Sequence, residues 1–144
     1  MVSLGCPKNT VDSERMLGLL EGHAYQITDR PDQADVIVVN TCGFIGPAKE
    51  ESIEAVMAAN RLKERGKCKG VIVTGCLATR YEEELRNELI EADDLLTIAE
   101  EPDIVHRVDR VLGRQPRGHV ASMPRATTTP SHWSYLRISD GCDH

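Results

Sequence analysis

Two short runs constrain the architecture more than anything else in this chain. Val36-Ile37-Val38-Val39 and Val71-Ile72-Val73 are unbroken β-branched stretches with no polar residue inside them. A strand with one wet face alternates apolar and polar side chains. An unbroken run therefore predicts a strand covered on each face, as in a parallel sheet between helix layers. Val2-Ser3-Leu4 is a shorter third candidate, and Tyr25-Gln26-Ile27-Thr28 and Leu95-Leu96-Thr97-Ile98 are predicted edge strands.

Helical patterns fill the intervals. One spans about Val11 to Glu21, with Met16, Leu17, Leu19 and Leu20 as its apolar stripe and Gly22 as C-cap. A second starts at Pro47, carries Glu50 and Glu51 in its first turn, and ends near Arg65-Gly66. A third follows Thr79, which forms a capping-box pattern with Glu82. A fourth covers Pro102 to Leu112 and closes at Gly113. Asn9, Asp12 and Ser13 could orient the loop at Cys6, or Asp12 and Ser13 could cap the first helix, which is the favoured reading; Asn40 and Thr41 read as turn residues or sulfur partners. The alternation predicts an α/β fold: an open, mostly parallel sheet with helices on both faces, flavodoxin-like or Rossmann-like in three layers.

That domain is expected over residues 1–113. Between Arg114 and Pro130 come three prolines, three arginines and three consecutive threonines, which read as a linker over 114–132. Trp133-Ser134-Tyr135-Leu136-Arg137-Ile138 alternates like a strand, so residues 133–144 read as the start of a second domain. No apolar run nears the roughly 20 residues a membrane helix needs, and no signal peptide is visible, which predicts a cytoplasmic protein. The formal charge is −6 and aromatics make up 3% of the chain, a balance that argues against a strong grip on nucleic acid. Ten acids and one arginine between Glu82 and Asp103 read as a solvated face.

The cysteines are Cys6, Cys42, Cys68, Cys76 and Cys142, an odd count that a disulfide framework does not favour. Cys6, Cys42 and Cys76 share one context: each lies just past a predicted parallel strand and before a helix. Loops at the carboxyl ends of such strands share one edge, where ligands bind, so three thiols distant in sequence are predicted to converge. Helix N-termini there favour anions and lower a thiol pKa. A structural zinc site wants four ligands, and the histidines (His23, His106, His119, His132 and His144) show no ligand spacing. An iron–sulfur cluster is usually held by four thiolates, and three leave one iron with an open position. Cys68, in a polar stretch ahead of a strand, reads as incidental. Cys142 follows the last predicted strand.

The residues around these cysteines resemble a known family. Ser3-Leu4-Gly5-Cys6-Pro7-Lys8-Asn9, Val39-Asn40-Thr41-Cys42-Gly43-Phe44-Ile45, Thr74-Gly75-Cys76-Leu77 and Tyr135-Leu136-Arg137-Ile138-Ser139-Asp140-Gly141-Cys142-Asp143 are similar, in order, to blocks of the methylthiotransferase family of radical S-adenosylmethionine enzymes. The Cys6-Pro7-Lys8-Asn9 form resembles the branch that modifies an aspartate of a small-subunit ribosomal protein. The resemblance implies a transferase with two 4Fe-4S clusters. Cys6, Cys42 and Cys76 would hold an auxiliary cluster that donates sulfur. Cys142 would be the first ligand of the radical cluster, which, with S-adenosylmethionine, belongs to a barrel only begun here. It further implies a ribosomal-protein substrate and a reductant such as flavodoxin or ferredoxin, and that this stretch alone is inactive. The first strand is shorter than the family's usual one. The rivals are a tRNA (adenosine) methylthiotransferase, a metal-free flavodoxin-like binding module, disfavoured by the lack of a glycine-rich phosphate loop, and a scaffold whose acidic face docks a ribosomal protein.

Overall fold

Val36–Thr41 (β2) and Gly70–Gly75 (β3) lie side by side as the centre of a parallel sheet in the computed structural model, which describes residues 1–43, 45–89, 91–115, 123–136 and 138. Val2–Ser3 (β1) pairs in parallel with Val39 and Asn40, and Asp94–Leu95 (β4) pairs with Ile72 and Val73. The sheet order is β1-β2-β3-β4.

The unbroken apolar runs are explained by burial on each face. Ile37, Val39, Val71 and Val73 point into one core with Val56 and Ala59 of the helix Gly46–Arg65 (α2) and Leu77 and Ala78 of Cys76–Arg80 (α3). Val38 and Ile72 point the other way, against Met16 and Leu20 of Pro7–Gly22 (α1) and Ile104, Val105 and Val108 of Ile104–Val111 (α5). Val39, Val71, Ile72 and Val73 are fully shielded from solvent. The three-layer α/β arrangement is as the alternation predicts.

Several local expectations are corrected. Helix α1 begins at Pro7, so Asp12 and Ser13 lie inside it, buried, and are not caps. Its end is turned by Ala24, at φ 60°, while Gly22 is the last helical residue. Tyr25–Thr28 forms no strand: β1, the edge strand it would have to join, is only Val2–Ser3 long. A cavity of about 610 Å³ lies there instead, between Tyr25–Thr28, Met1 and Val36. The third helix starts at Cys76 rather than after Thr79, because Gly75 turns the chain directly out of β3. It is interrupted at Tyr81, restarts at Glu82–Glu84 (α4), and continues as a π turn over Leu85–Leu89. Thr79 does not cap it; the Thr79 hydroxyl donates to the Gly75 carbonyl. The capping box falls at Thr97 and Glu100, opening the 3-10 turn Ile98–Asp103 that leads into α5.

The expected linker is not free of the domain. Glu14, fully buried in α1, accepts hydrogen bonds from the Thr128 N–H (2.5 Å) and hydroxyl (2.8 Å). Arg125 Nε stands 3.1 Å from its other oxygen. The expected strand over 133–138 is not seen among the described residues, since no neighbouring strand is there to complete a ladder. Trp133 and Tyr135 pack edge to face, centroids 5.0 Å apart, and Leu136 is exposed.

Candidate metal centre

The carboxyl ends of β1, β2 and β3 form one edge, and Cys6, Cys42 and Cys76 follow them in turn. Cys6 is the residue preceding α1, with extended backbone (φ −99°, ψ 171°), and is exposed. Cys42 follows β2 and is buried; Cys76 opens α3 and is partly buried. A Cβ placed on Gly5 would sit 2.7 Å from Cys42 Cβ and 2.9 Å from its Sγ, so the Cys6 loop lies directly on Cys42. Cys76 Sγ faces Oδ1 of Asn9, a residue of the first turn after Cys6. The three cysteines thus lie along one sheet edge, with the Cys6 and Cys42 loops in direct contact.

Two glycines make it possible. Gly5 (φ 91°) and Gly75 (φ 97°) occupy the left-handed region that disfavours side chains. A Cβ on Gly75 would lie 2.3 Å from Asn40 Oδ1 and 2.4 Å from the Thr41 carbonyl oxygen.

Below the thiols lies a polar floor. Asn9, 1% exposed, donates through Nδ2 to the carbonyls of Leu4 (2.8 Å) and Thr41 (3.0 Å). Its Oδ1 lies 3.7 Å from Cys76 Sγ. Asn40 donates to the Asn9 carbonyl and the Ser13 hydroxyl, each at 3.0 Å. The Thr41 hydroxyl donates to the Thr74 carbonyl at 2.5 Å. Asn40 and Thr41 are thus buried strand residues, not turn residues. Ser52 of α2 clamps Cys42: its oxygen accepts from the Cys42 N–H and its hydroxyl donates to the Cys42 carbonyl, each at 2.9 Å. Ser52 was not legible as a site residue, because nothing in α2's apolar spacing marks it.

The electrostatics depart from expectation at one thiol. Burial pushes the Cys76 thiol up from its ordinary value, only partly opposed by the Lys8 ammonium. Lys8 is itself held at 3.1 Å by Asp12.

Thiolates are the ligands that iron–sulfur clusters take, and three thiols stand on this edge, although among the described residues no group of three His, Cys, Asp or Glu side chains is placed to hold a metal ion. Three soft thiols, a glycine-lined edge and a buried scaffold that fixes the loops fit such a cluster. Cys68 sits at the opposite end of β3, buried, its thiol donating to the Gly70 carbonyl at 3.2 Å; burial pushes its pKa up. It takes no part in the triad. Cys142 lies outside the described residues.

Fold and site together define an α/β domain that presents three cysteines at one sheet edge. The chain belongs to the family described as Uncharacterized protein family UPF0004, whose model matches residues 1–97 and so takes in all three. Among its relatives, a protein of Anaeromyxobacter sp. (strain Fw109-5) is 49% identical over 148 residues, which cover 99% of this chain and 32% of the relative. One of Pelotomaculum thermopropionicum is 46% identical over 152 residues, covering 100% and 34%. One of Myxococcus xanthus is 43% identical over 157 residues, covering 100% and 32%. Each is named ribosomal protein uS12 methylthiotransferase RimO. The chain spans about a third of the length of the curated relatives it matches. No helix among the described residues is long and apolar enough to cross a membrane.

Proposed function

We propose that this chain is the cluster-bearing N-terminal part of a methylthiotransferase that modifies an aspartate of the small-subunit ribosomal protein uS12. The observation that supports the reading is that the loops of Cys6, Cys42 and Cys76 share one sheet edge and are tied together through Asn9. The relatives' names supply the substrate. The net charge of −6 suits a basic ribosomal protein better than tRNA.

In this reading Cys6, Cys42 and Cys76 hold an auxiliary 4Fe-4S cluster with one iron free of protein ligands. When bound, that group supplies the sulfur to be transferred and an open coordination position. The chain's own contribution is placement. Gly5 brings loop backbone close to the Cys42 sulfur, Gly75 lets the Cys76 turn close on Asn40 and Thr41, Ser52 fixes the Cys42 peptide, and the exposed side of Cys6 leaves the mouth open to a substrate. Residues 1–113 form the cluster domain, 114–132 the connection, and 133–144 the start of a radical S-adenosylmethionine domain with Cys142 as first ligand of a second 4Fe-4S cluster. The reaction takes place in the cytoplasm and needs a reductant such as flavodoxin or ferredoxin.

The test is metal content. The chain is purified without oxygen, reconstituted with iron and sulfide, and assayed for each. About four irons and four sulfides per chain are expected. They should be lost in Cys6→Ala, Cys42→Ala or Cys76→Ala and retained in Cys68→Ala. A colourless protein that takes up neither would sink the proposal.

A further inference from the structure

One side chain touches all three cysteine loops. Asn9 stands three residues past Cys6, on the inward face of the first turn of α1, and is buried. Its Nδ2 spends its two hydrogens on the carbonyl of Leu4, ahead of Cys6, and that of Thr41, directly before Cys42. With both donors engaged by carbonyls, the amide orientation is fixed, and Oδ1 is the atom that faces Cys76 Sγ. The carbonyl of the same residue accepts from Asn40, which anchors Asn9 to the strand that carries Cys42. Ser52 holds only the Cys42 peptide, and Ser13 joins Ser3 to Asn40; Asn40, itself on β2, donates to the Asn9 carbonyl and packs its oxygen against Gly75 without a hydrogen bond to that loop.

We infer that Asn9 is the positioning residue of the thiol triad: its carboxamide sets the three cysteine loops in one register, so that Cys6, Cys42 and Cys76 engage a cluster together. The inference rests on the proposed cluster for its consequence, but the bridging itself belongs to the protein. Three separate loops are ordered at the cost of one buried carboxamide whose hydrogen bonds are each within ordinary range. Removing it frees all three at once, whereas removing Ser52 frees one.

The experiment has two arms, on this chain with Asn9→Asp, which loses both donors and sets a carboxylate against the Leu4 and Thr41 carbonyls, so that nothing holds its oxygen at Cys76. Asn9→Ser carries the test should Asn9→Asp not fold, and Ser52→Ala is the comparison. The first arm is amide hydrogen exchange on the metal-free protein. Asn9→Asp is expected to speed exchange about tenfold in the loops around residues 4–6, 41–43 and 75–77 together, and Ser52→Ala only around 41–43. The second arm is the rate at which a chelator strips iron from the reconstituted protein, followed by loss of cluster absorbance; Asn9→Asp is expected to lose it about tenfold faster than the parent. Faster exchange in one loop alone, or none, overturns the inference. So does unchanged iron release from a parent that does bind iron. A parent that takes up no iron, with all three loops loosened in Asn9→Asp, overturns the cluster proposal and leaves the bridging role standing.

Discussion

Glu14→Ala should release the segment that follows α5 from the face of α1. Glu14 is fully buried; one carboxylate oxygen accepts from the Thr128 N–H at 2.5 Å and the Thr128 hydroxyl at 2.8 Å, and the other is ion-paired, without a hydrogen bond, to Arg125 Nε at 3.1 Å. Breaking a buried ion pair by deleting one partner costs about 3–5 kcal/mol. Here Arg125 keeps 23% of its side chain exposed and can turn to water. The backbone bond from Ala126 N–H to the Glu14 carbonyl also survives the substitution. The lower figure, about 3 kcal/mol, is therefore the appropriate one. At about 3 °C per kcal/mol for a chain of this size, the thermal midpoint should fall by about 9 °C. Glu14→Gln keeps an acceptor for Thr128 and loses only the charge opposite Arg125, so it should cost about 1–2 kcal/mol. The assay pairs thermal denaturation with limited trypsinolysis at Arg125, which should quicken in Glu14→Ala before the rest of the domain opens. A Glu14→Ala protein with a midpoint within about 2 °C of the parent and unchanged cleavage at Arg125 would refute the reasoning.

Two further outcomes follow from the geometry. Gly75→Ala adds a methyl 2.3 Å from Asn40 Oδ1 and 2.4 Å from the Thr41 carbonyl, at φ 97°; conformational strain and overpacking together should cost about 3–5 kcal/mol in chemical denaturation. Glu100 is held below the usual carboxylate range, first by the Thr97 N–H and then by the Thr97 hydroxyl and Arg107. Its depressed value means it stabilises the fold above the unfolded carboxylate pKa, and that contribution is lost as pH falls through the folded value. The stability gap between parent and Glu100→Gln should thus be full at neutral pH and close on acidification below about pH 4; a gap that persists or widens in acid would contradict the sign.

The central strands and the faces they bury were legible because Val36–Val39 and Val71–Val73 admit no wet side. The meeting of the cysteines was legible because a parallel sheet aligns the carboxyl ends of its strands. What escaped the sequence depends on partners rather than on local pattern. Tyr25–Thr28 has strand composition, yet the edge strand it would have to join, β1, is only two residues long. Thr79 and Glu82 have the spacing of a capping box, but Gly75 begins the helix earlier and leaves Thr79 inside it. The segment 123–128 has the composition of a linker, and only the fold shows that Glu14, mid-helix and seemingly on a polar position, is buried beneath it. Asp12 and Ser13 looked like caps for the same reason: the helix start was misplaced by four residues, from Pro7 to Val11.

The two ends of β3 show what the fold spends on the triad. At the amino end, Cys68 is enclosed in an apolar core and its thiol is satisfied by a neighbouring carbonyl. At the carboxyl end, the residues beneath the thiols are Asn9, Ser13, Asn40, Thr41 and Ser52, every one of them buried. Aliphatic side chains of similar size would fill that space without the penalty of desolvating amides and hydroxyls. Apolar packing, though, is indifferent to small slips between loops, whereas a hydrogen bond to a named carbonyl is not. Asn40 even carries a buried oxygen without a hydrogen-bond partner, aimed at the Cα of Gly75, where no larger residue fits. A polar floor under three thiols, next to an apolar core only a strand's length away, is the arrangement expected where positional accuracy of the loops matters more than stability. That requirement is what the proposed cluster would impose on Cys6, Cys42 and Cys76, and one that a thiol in an apolar core such as Cys68 does not share.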